Sequence, residues 1–378
     1  VSVAWVPLMP HPGMDRSPNA PLAPSEDLYH QTTASLEHLT QKDEGGRGIR
    51  QLLGPETDDG LRRSAFLLSQ PHVRRVGILT GFPCNRDSHP PTETDGPPGA
   101  LAVAKCLLRG HKEAVVLLTD GINEAPLLAA VAAHPYLHKA LANKRLTVES
   151  FHPAEFCENG SCIASVPLHK LADRRQLPGV RRLRALWEEL DHLVAVERSG
   201  RAADGRYYTM RGLDMTSDVA PLDILFHWSL TGPQDGIRPL TTAIGDGGNE
   251  LGLGKVAHRT AQHIPKGAQI ACAVSCHSLI VASVSNWGAY ALAALTSALM
   301  VFAGDGSFSF DELFTTDADE RQVAAALCEA GVRDGATKEL AMTVDGFPMH
   351  ETFKRVDRMR EIVSCLIVEG RRDSMMGG

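Results

Sequence analysis

The sequence feature that most constrains the fold is a repeated pattern of a short apolar run, a turn rich in glycine and polar residues, and a segment of helical character. Strands that alternate with helices pair in parallel, because parallel neighbours need a crossover connection that is usually a helix. The pattern therefore predicts an α/β fold with a mainly parallel or mixed sheet flanked by helices. The five apolar runs are Val73–Leu79, Ala114–Leu118, His192–Val196, Leu240–Ile244 and Ile270–Val274.

Polar and flexible residues follow each of these runs directly. In open α/β sheets, ligands bind in the crevice outside the C-terminal ends of the strands. We therefore expect the active site at the C-terminal strand ends.

The chain divides into a proline-rich start and one long remainder. Residues 1–24 contain six prolines and little hydrophobic periodicity, which is typical of a linker or tail. Residues 25–378 are expected to form a single large α/β domain, with Ser25 or Asp27 capping its first helix. Further elements are predicted as a buried helix at Ala289–Phe302, an amphipathic helix at Asp319–Ala330 and a last strand at Ile362–Val368.

Composition narrows the classes of partner. Hydrophobic residues make up 43% of the 378 residues, enough for a substantial core, and the net charge is −7. A net negative charge argues against nucleic acid or an anionic membrane as the main partner. No uncharged apolar run reaches the roughly 18 residues of a membrane span. The oligomeric state stays open, a homo-oligomer included.

The segment Gly245–Lys255 carries the sharpest chemical signal. Five glycines in ten positions let the backbone adopt positive φ and approach a ligand closely. Asp246, Asn249 and Glu250 supply three oxygen-bearing side chains within five positions, which suits a hard cation or proton transfer. An ordinary strand–turn–helix junction is the alternative, since Gly-Asp-Gly-Gly is also common turn sequence.

The same segment matches neither standard phosphate-binding loop. A P-loop that ended at Lys255 would need glycine at 249 and serine or threonine at 256, where the chain has Asn249 and Val256. A dinucleotide-binding loop would need a third glycine where Glu250 stands. We therefore expect no nucleotide cofactor.

A second group of polar residues follows the run His192–Val196. Glu197 and Arg198 come directly after it, with Arg206 and Arg211 soon after. A carboxylate beside several guanidinium groups can hold an anionic substrate. For Arg206 and Arg211, ordinary salt bridges on a surface hairpin are an equal alternative.

Three other strand ends offer further polar groups. Asp120 follows Ala114–Leu118, where it either ligates an ion or caps the next helix. Thr80 and Gly81 present a hydroxyl and an amide to an anion, and Asn286 is expected at the mouth of the same sheet.

Taken together, these segments resemble a known family, the C-terminal domain of D-glutamate cyclases. The resemblance runs from about 61 to 367 and is carried by 80–83, 197–198, 204–208, 245–254, 285–288 and 344–346. It implies dehydrative cyclisation of D-glutamate to 5-oxo-D-proline in the mitochondrial matrix, and a further N-terminal region in the animal proteins. It carries over no established catalytic residues.

The implied reaction sets demands on a site. The α-amine must lose a proton, and the γ-carboxylate that it attacks is a poor electrophile, so cations or a metal must neutralise its charge. Amine and carboxylate share one molecule, so holding the folded-over conformer supplies part of the rate.

We assign roles on that basis. Glu197, Asp246 and Glu250 are predicted as catalytic, with Glu197 as the base. Asp246 and Glu250, with Asp120, are predicted to bind a divalent cation, Mg or Mn. The predicted substrate-binding residues are Thr80, Gly81, Arg198, Arg211, Asn249 and Asn286, with Arg198 or Arg211 on the α-carboxylate.

Two other functions fit the same residues. Oxygen-rich loops at strand ends also serve metal-dependent hydrolases of small phosphate or carboxylate substrates. A non-catalytic metabolite-binding domain that regulates an upstream region is the third reading.

Overall fold

A computed structural model describes residues 24–158, 166–232, 238–304 and 308–376, with side chains to 368. The proline-rich stretch 1–24 lies outside these residues except for its last one. The strands are β1 (Arg75–Gly81), β2 (Ala114–Asp120), β3 (Leu146–Phe151), β4 (His192–Arg198), β5 (Leu240–Gly245), β6 (Ser278–Val281), β7 (Thr343–Val344) and β8 (Phe347–Pro348). The α-helices are α1 (Glu26–Thr40), α2 (Gly60–Ser69), α3 (Pro97–Arg109), α4 (Glu124–Ala133), α5 (Pro135–Ala142), α6 (Leu168–Ala172), α7 (Pro178–Glu189), α8 (Asp223–Thr231), α9 (Ala257–His263), α10 (Gly267–Ile270), α11 (Ser285–Ala303), α12 (Phe310–Leu313), α13 (Asp317–Glu329) and α14 (Met349–Met376).

The first six strands form one sheet in the order β3-β2-β1-β4-β5-β6. Every neighbouring pair in it is parallel, which confirms the predicted α/β fold. The remaining strands, β7 and β8, form a small antiparallel hairpin.

The strand order places a crevice between β1 and β4. From β1 the chain moves outward to β2 and β3, and it then returns to β4 and moves outward the other way through β5 and β6. Connections that leave neighbouring strands in opposite directions open a crevice at the C-terminal strand ends, the usual ligand site of such sheets. Here β1 and β4 also shift register between Thr80 and Gly81, because Thr80 pairs with Val196 and Gly81 with Arg198, which leaves Glu197 without a paired residue on β1.

Each face of the sheet is covered by helices over its own apolar core. Successive strand residues point to opposite faces, so on β4 Val194 and Val196 join one core and Leu193 and Ala195 join the other. Among the described helices, α11 has the length and hydropathy of a membrane span, but 94% of its apolar window is buried inside the protein. It therefore serves as the central core helix and packs on α2, α3 and α14.

Several sequence predictions are confirmed. Ser25 caps α1, accepting a hydrogen bond from the amide of Leu28 at 3.3 Å. The predicted buried and amphipathic helices correspond to α11 and α13.

Two strand predictions are wrong. Ile270–Val274 begins at the end of α10 and then runs beside other loops, since the amide of Cys272 donates to the carbonyl of Gly248 at 3.0 Å; the sixth strand is β6. Ile362–Val368 lies inside α14, whose buried residues recur at helical spacing as Val356, Met359, Val363 and Leu366. The sequence analysis also did not predict β3. This strand lies at the sheet edge and only its two end residues are fully buried, so it lacks a continuous apolar run.

Candidate active site

A cavity of about 250 Å³ opens at the C-terminal ends of β1, β4 and β5. Its volume lies just below the usual range for drug-sized ligands, so it suits a small metabolite. Its lining is Arg47, Phe82, Cys84, Glu93, Glu197, Thr209, Met210, Arg211, Leu213, Asp246, Asn249, Glu250, Gly335, Ala336, Lys338 and Asp345.

Three carboxylates converge at the base of this crevice. Asp95, Glu197 and Asp246 each offer one carboxylate oxygen, and these three oxygens all lie within 4.8 Å of one another. All three residues are buried. Glu197 and Asp246 were predicted from the sequence, whereas Asp95, which follows no strand directly, was missed.

Asp95 is held by the N-terminus of α11. Its two carboxylate oxygens accept hydrogen bonds from the backbone amides of Ser285 and Asn286, each at 2.8 Å. The first amides of a helix lack intrahelical partners and favour negative charge. The packing of α11 against the strand ends therefore fixes where this carboxylate stands.

Asn286 makes the reciprocal contact with α3. Its side-chain oxygen accepts from the amides of Gly96 and Gly99 at 3.0 and 2.8 Å, and its side-chain nitrogen donates to the carbonyl of Thr94 at 3.2 Å. These bonds use both acceptor sites of the side-chain oxygen and one of the two N–H donors of the side-chain nitrogen. The structure thus places Asn286 next to the site as a support for Asp95, behind the cavity rather than in its lining.

Glu197 is the second-last residue of β4 and has a strained backbone conformation. Its φ is 43°, a left-handed value that non-glycine residues adopt uncommonly. The Ser285 hydroxyl donates to its carboxylate at 2.6 Å. Strained backbone of this kind is concentrated at functional sites.

Arg47 connects two of the cavity's acidic groups. Its guanidinium donates to Asp246 at 2.7 Å and to Asp345 at 2.5 Å. Asp345 lies in the turn between β7 and β8, also at positive φ. The second oxygen of Asp345 is buried and has no hydrogen-bond partner within the described residues.

Glu250 and Asn249 complete the inner wall. Glu250 accepts a hydrogen bond from the amide of Gly248 at 2.8 Å. Asn249 donates to the carbonyl of Tyr208 at 2.8 Å, which leaves its side-chain oxygen buried and unpartnered among the described residues. Gly248 has a φ of 102° and lies against Thr260, so the loop needs glycine there.

The site is rich in buried acid and poor in balancing charge. Burial is the largest cause that raises the pKa of Glu93, Glu197, Asp246 and Glu250, and it raises the pKa of Asp95 to about 8. Neighbouring carboxylates also raise the pKa values of Glu93, Asp95, Glu197 and Asp246, because like charges in one buried site cannot all ionise.

These groups fit a divalent cation. Buried carboxylates either retain protons or bind a cation, and Mg²⁺, Mn²⁺ and Ca²⁺ prefer carboxylate and amide oxygens. The unpartnered oxygens of Asp345 and Asn249 point to the same need, since a buried oxygen acceptor without a partner is costly. Asp95, Glu197 and Asp246 could hold such an ion.

Asp120 and Arg198 lie apart from this cluster, in an ion pair with each other. The guanidinium of Arg198 donates to both carboxylate oxygens of Asp120, one of them at 2.8 Å, and to the carbonyl of Ala220 at 2.8 Å. Both side chains are at most 1% exposed. Asp120 also accepts hydrogen bonds from the amide of Ala220 and the side chain of Asn123, and neither Asp120 nor Arg198 lines the cavity.

The other predicted residues lie at the edges of the site. Thr80 and Gly81 border a much smaller void behind the cavity, and the Thr80 hydroxyl is buried without a partner among the described residues. Arg211 is exposed at the cavity mouth, where it donates to the carbonyl of Ala336 at 3.4 Å. Arg206 pairs with Asp214 on an exposed hairpin, as the salt-bridge alternative stated.

Sequence reasoning missed Arg47, Glu93, Asp95 and Lys338. Each lies in an irregular segment far in sequence from the Gly245–Gly254 loop, so no strand-end pattern marks it. Asp345 belonged to a segment that carried the family resemblance, which is the one sequence signal that pointed to it.

Comparison with known proteins gives two matches. A family model described as D-glutamate cyclase-like, C-terminal, matches residues 36–360. The human protein named D-glutamate cyclase, mitochondrial, is 32% identical over an alignment of 358 residues, which covers 87% of this chain and 52% of the human protein. The chain therefore spans about half the length of this relative.

Proposed function

Because the chain belongs to the D-glutamate cyclase-like, C-terminal family, we propose that it is a lyase that cyclises D-glutamate to 5-oxo-D-proline with loss of water. The observation that carries this proposal is the convergence of Asp95, Glu197 and Asp246 at the sheet's switch point, where Glu197 and Asp246 also line the small cavity. By analogy with the mitochondrial relative, the proposed location is the mitochondrial matrix.

The chemistry suits the cavity. The reaction moves two protons from the substrate nitrogen to the γ-carboxylate oxygen that departs as water. A divalent cation in the acidic cluster would supply Lewis-acid neutralisation of the γ-carboxylate. The proposed ligands are Asp95, Glu197 and Asp246, with Asp120 left out because Arg198 holds it.

Proton transfer is assigned to buried carboxyls. Glu197 or a neighbouring carboxylate takes a proton from the α-ammonium, which frees the lone pair for attack on the γ-carbon. Glu250, whose burial raises its pKa and favours the protonated form, gives one proton to the departing oxygen. The base that took the first proton from the nitrogen gives the second, so the oxygen leaves as water. The second proton that the nitrogen loses after the attack returns to Glu250, which restores both groups. The enclosed site holds the folded-over substrate, which makes the attack intramolecular at high effective concentration.

The first test is formation of 5-oxoproline from D-glutamate by the purified chain. Asp246→Asn and Glu250→Gln are expected to lower kcat by roughly 10²- to 10⁴-fold, because each removes a group that binds charge or transfers a proton. Glu188→Gln, on the exposed end of α7 and paired with Arg184, is the matched control and should retain full activity.

Outcomes of this assay separate the alternatives. Unchanged turnover in both folded variants would contradict the assignment of residues. Phosphate release from phosphoesters without cyclisation would support a metal-dependent hydrolase, and tight D-glutamate binding without turnover would support a regulatory domain.

The cation is tested separately. Dialysis against EDTA, with metal content checked by elemental analysis, is expected to abolish turnover, and Mn²⁺ or Mg²⁺ should restore it. Full activity in metal-free protein would leave charge neutralisation to the basic side chains of the cavity.

A further inference from the structure

We propose that Lys338 is the anchor for the substrate's α-carboxylate, and that it makes the site select ligands that carry this group. The inference rests on the proposed function, because it takes a small amino dicarboxylate as the ligand. The sequence had pointed to Arg198 or Arg211 for this role.

Three basic side chains line the cavity, those of Arg47, Arg211 and Lys338. Arg47 is committed to Asp246 and Asp345 at 2.7 and 2.5 Å. Arg211 lies exposed at the mouth, where water competes for its charge. Lys338 is half-buried, and among the described residues no carboxylate oxygen lies within 4.0 Å of its Nζ.

Neutral side chains orient the ammonium group of Lys338. The Nζ of Lys338 donates to the side-chain oxygen of Asn85 at 2.5 Å and lies 3.8 Å from the sulfur of Cys84. Asn85 is itself fixed, because its side-chain nitrogen donates to the carbonyls of Thr92 and Arg333 at 3.2 and 3.1 Å. Both partners are neutral, so they direct the ammonium group without cancelling its charge, and one of its three N–H donors stays available to an anion.

Hydrogen bonds to Asp334 fix the backbone segment that positions Lys338 at the cavity. The carboxylate of Asp334 accepts from the amides of Ala336, Thr337 and Gly346 and from the hydroxyl of Thr343, all at 2.7 to 2.9 Å. These bonds tie Lys338's segment to the turn that carries Asp345. The hydrogen-bonded loop thus places the ammonium group of Lys338 and the carboxylate of Asp345 at the same cavity. Lys338 has a φ of 68°.

The charges of the cavity complement those of the proposed substrate. D-Glutamate carries two carboxylates and one ammonium group. The acidic cluster, with a cation, accounts for the γ-carboxylate and the amine, and it repels a second, unneutralised carboxylate. The lysine whose charge no cavity carboxylate cancels supplies the complementary site for that second group.

The test compares Lys338→Met and Lys338→Arg with Lys354→Met, an exposed lysine on α14 that pairs with Glu351. Binding of D-glutamate and of 4-aminobutyrate, which lacks the α-carboxylate, is measured by calorimetry in the presence of Mn²⁺. Lys338→Met is expected to weaken D-glutamate binding roughly 10- to 100-fold and to leave 4-aminobutyrate binding unchanged. Lys338→Arg should recover part of the affinity, and Lys354→Met should match wild type.

Kinetics supply the second readout. Loss of an anchor that binds ground state and transition state alike raises KM and leaves kcat nearly unchanged. Equal D-glutamate affinity in wild type and Lys338→Met overturns the anchor, as does an equal loss for both ligands, which would indicate a general structural effect.

The two proposals fail in different ways. If the wild-type protein never forms 5-oxoproline, and Lys338→Met loses affinity for D-glutamate but not for 4-aminobutyrate, the cyclisation is overturned and the anchor is supported. A wild-type protein that cyclises D-glutamate with Lys338→Met unchanged overturns the anchor alone.

Discussion

Arg198 and Arg206 each pair with an aspartate, but in different surroundings. The Arg198–Asp120 pair is fully buried, whereas Arg206 and Asp214 are 53% and 42% exposed. Water screens an exposed pair, so it contributes little to stability. In a buried pair, each partner neutralises a charge that would otherwise be costly. The sequence places both arginines near polar residues and does not distinguish these cases.

Replacing one member of the buried pair is therefore expected to destabilise the protein. Within the described part of the chain, Arg198→Met leaves the buried Asp120 carboxylate with the amide of Ala220 and the side chain of Asn123 as its donors. We expect the free energy of unfolding to fall by about 3–5 kcal/mol. Urea denaturation followed by circular dichroism measures it.

Arg206→Met is the matched control for this prediction and should leave the urea midpoint close to that of wild type. Equal midpoints for wild type and Arg198→Met would show that the buried pair is not needed for stability.

Between elements, Glu320 on α13 joins the central helix to its surroundings. The hydroxyl of Tyr290 on α11 donates to one oxygen of its carboxylate, and the hydroxyl of Thr315 donates to the other at 2.7 Å. Burial raises the pKa of Glu320 to about 7, although both hydroxyls pull it the other way. The contact between α11 and α13 therefore contains a group that holds its proton more tightly in the folded than in the unfolded protein.

This pKa predicts a pH dependence of stability with a definite sign. Between an unfolded pKa of 4.5 and a folded pKa of about 7, the folded state holds a proton that the unfolded state has lost. The stabilising contribution is thus complete below 4.5 and is lost as pH rises to about 7. Relative to wild type, Glu320→Gln, which cannot titrate, should gain about 2 kcal/mol between pH 5 and pH 7.

The measurement is denaturant unfolding of wild type and Glu320→Gln at several pH values across that window. A constant difference between the two proteins at all pH values would mean that Glu320 ionises in the folded state as it does in water.

On the scale of the whole molecule, the acidic cavity joins parts of the chain that are far apart in sequence. Arg47 lies in the loop after α1, Asp246 follows β5, and Asp345 lies in the hairpin before α14. A cation in the cluster would therefore stabilise the folded protein as a unit, because these groups are not assembled in the unfolded chain.

We expect Mn²⁺ to raise the free energy of unfolding of metal-free protein by about 2.7 kcal/mol at a hundredfold excess over its Kd. Asp246→Asn should lose most of this increase, and Glu188→Gln should keep it. Thermal unfolding with and without Mn²⁺ measures the effect. The same Mn²⁺ shift in Asp246→Asn and wild type would place the ion elsewhere.

Features that depend on local pattern could be predicted from the amino-acid sequence. Apolar runs with helical segments between them predicted the α/β fold and four of the six sheet strands, and the glycines around Asp246 and Glu250 marked the loop at the cavity wall. Residues at the C-terminal ends of neighbouring parallel strands meet at one sheet edge, so the convergence of Glu197 with Asp246 could also be predicted from the sequence.

The partners of each charged group could not be predicted from the sequence and became known from the folded structure. Asp120 and Glu197 both follow apolar strands, yet one is neutralised by Arg198 and the other faces Asp95 across the crevice. Arg47, Asp95 and Lys338 enter the site from loops that no periodic pattern marks. The physical reason is that a carboxylate's role depends on burial and on the charge of its spatial neighbours, and both are set by contacts between residues distant in sequence.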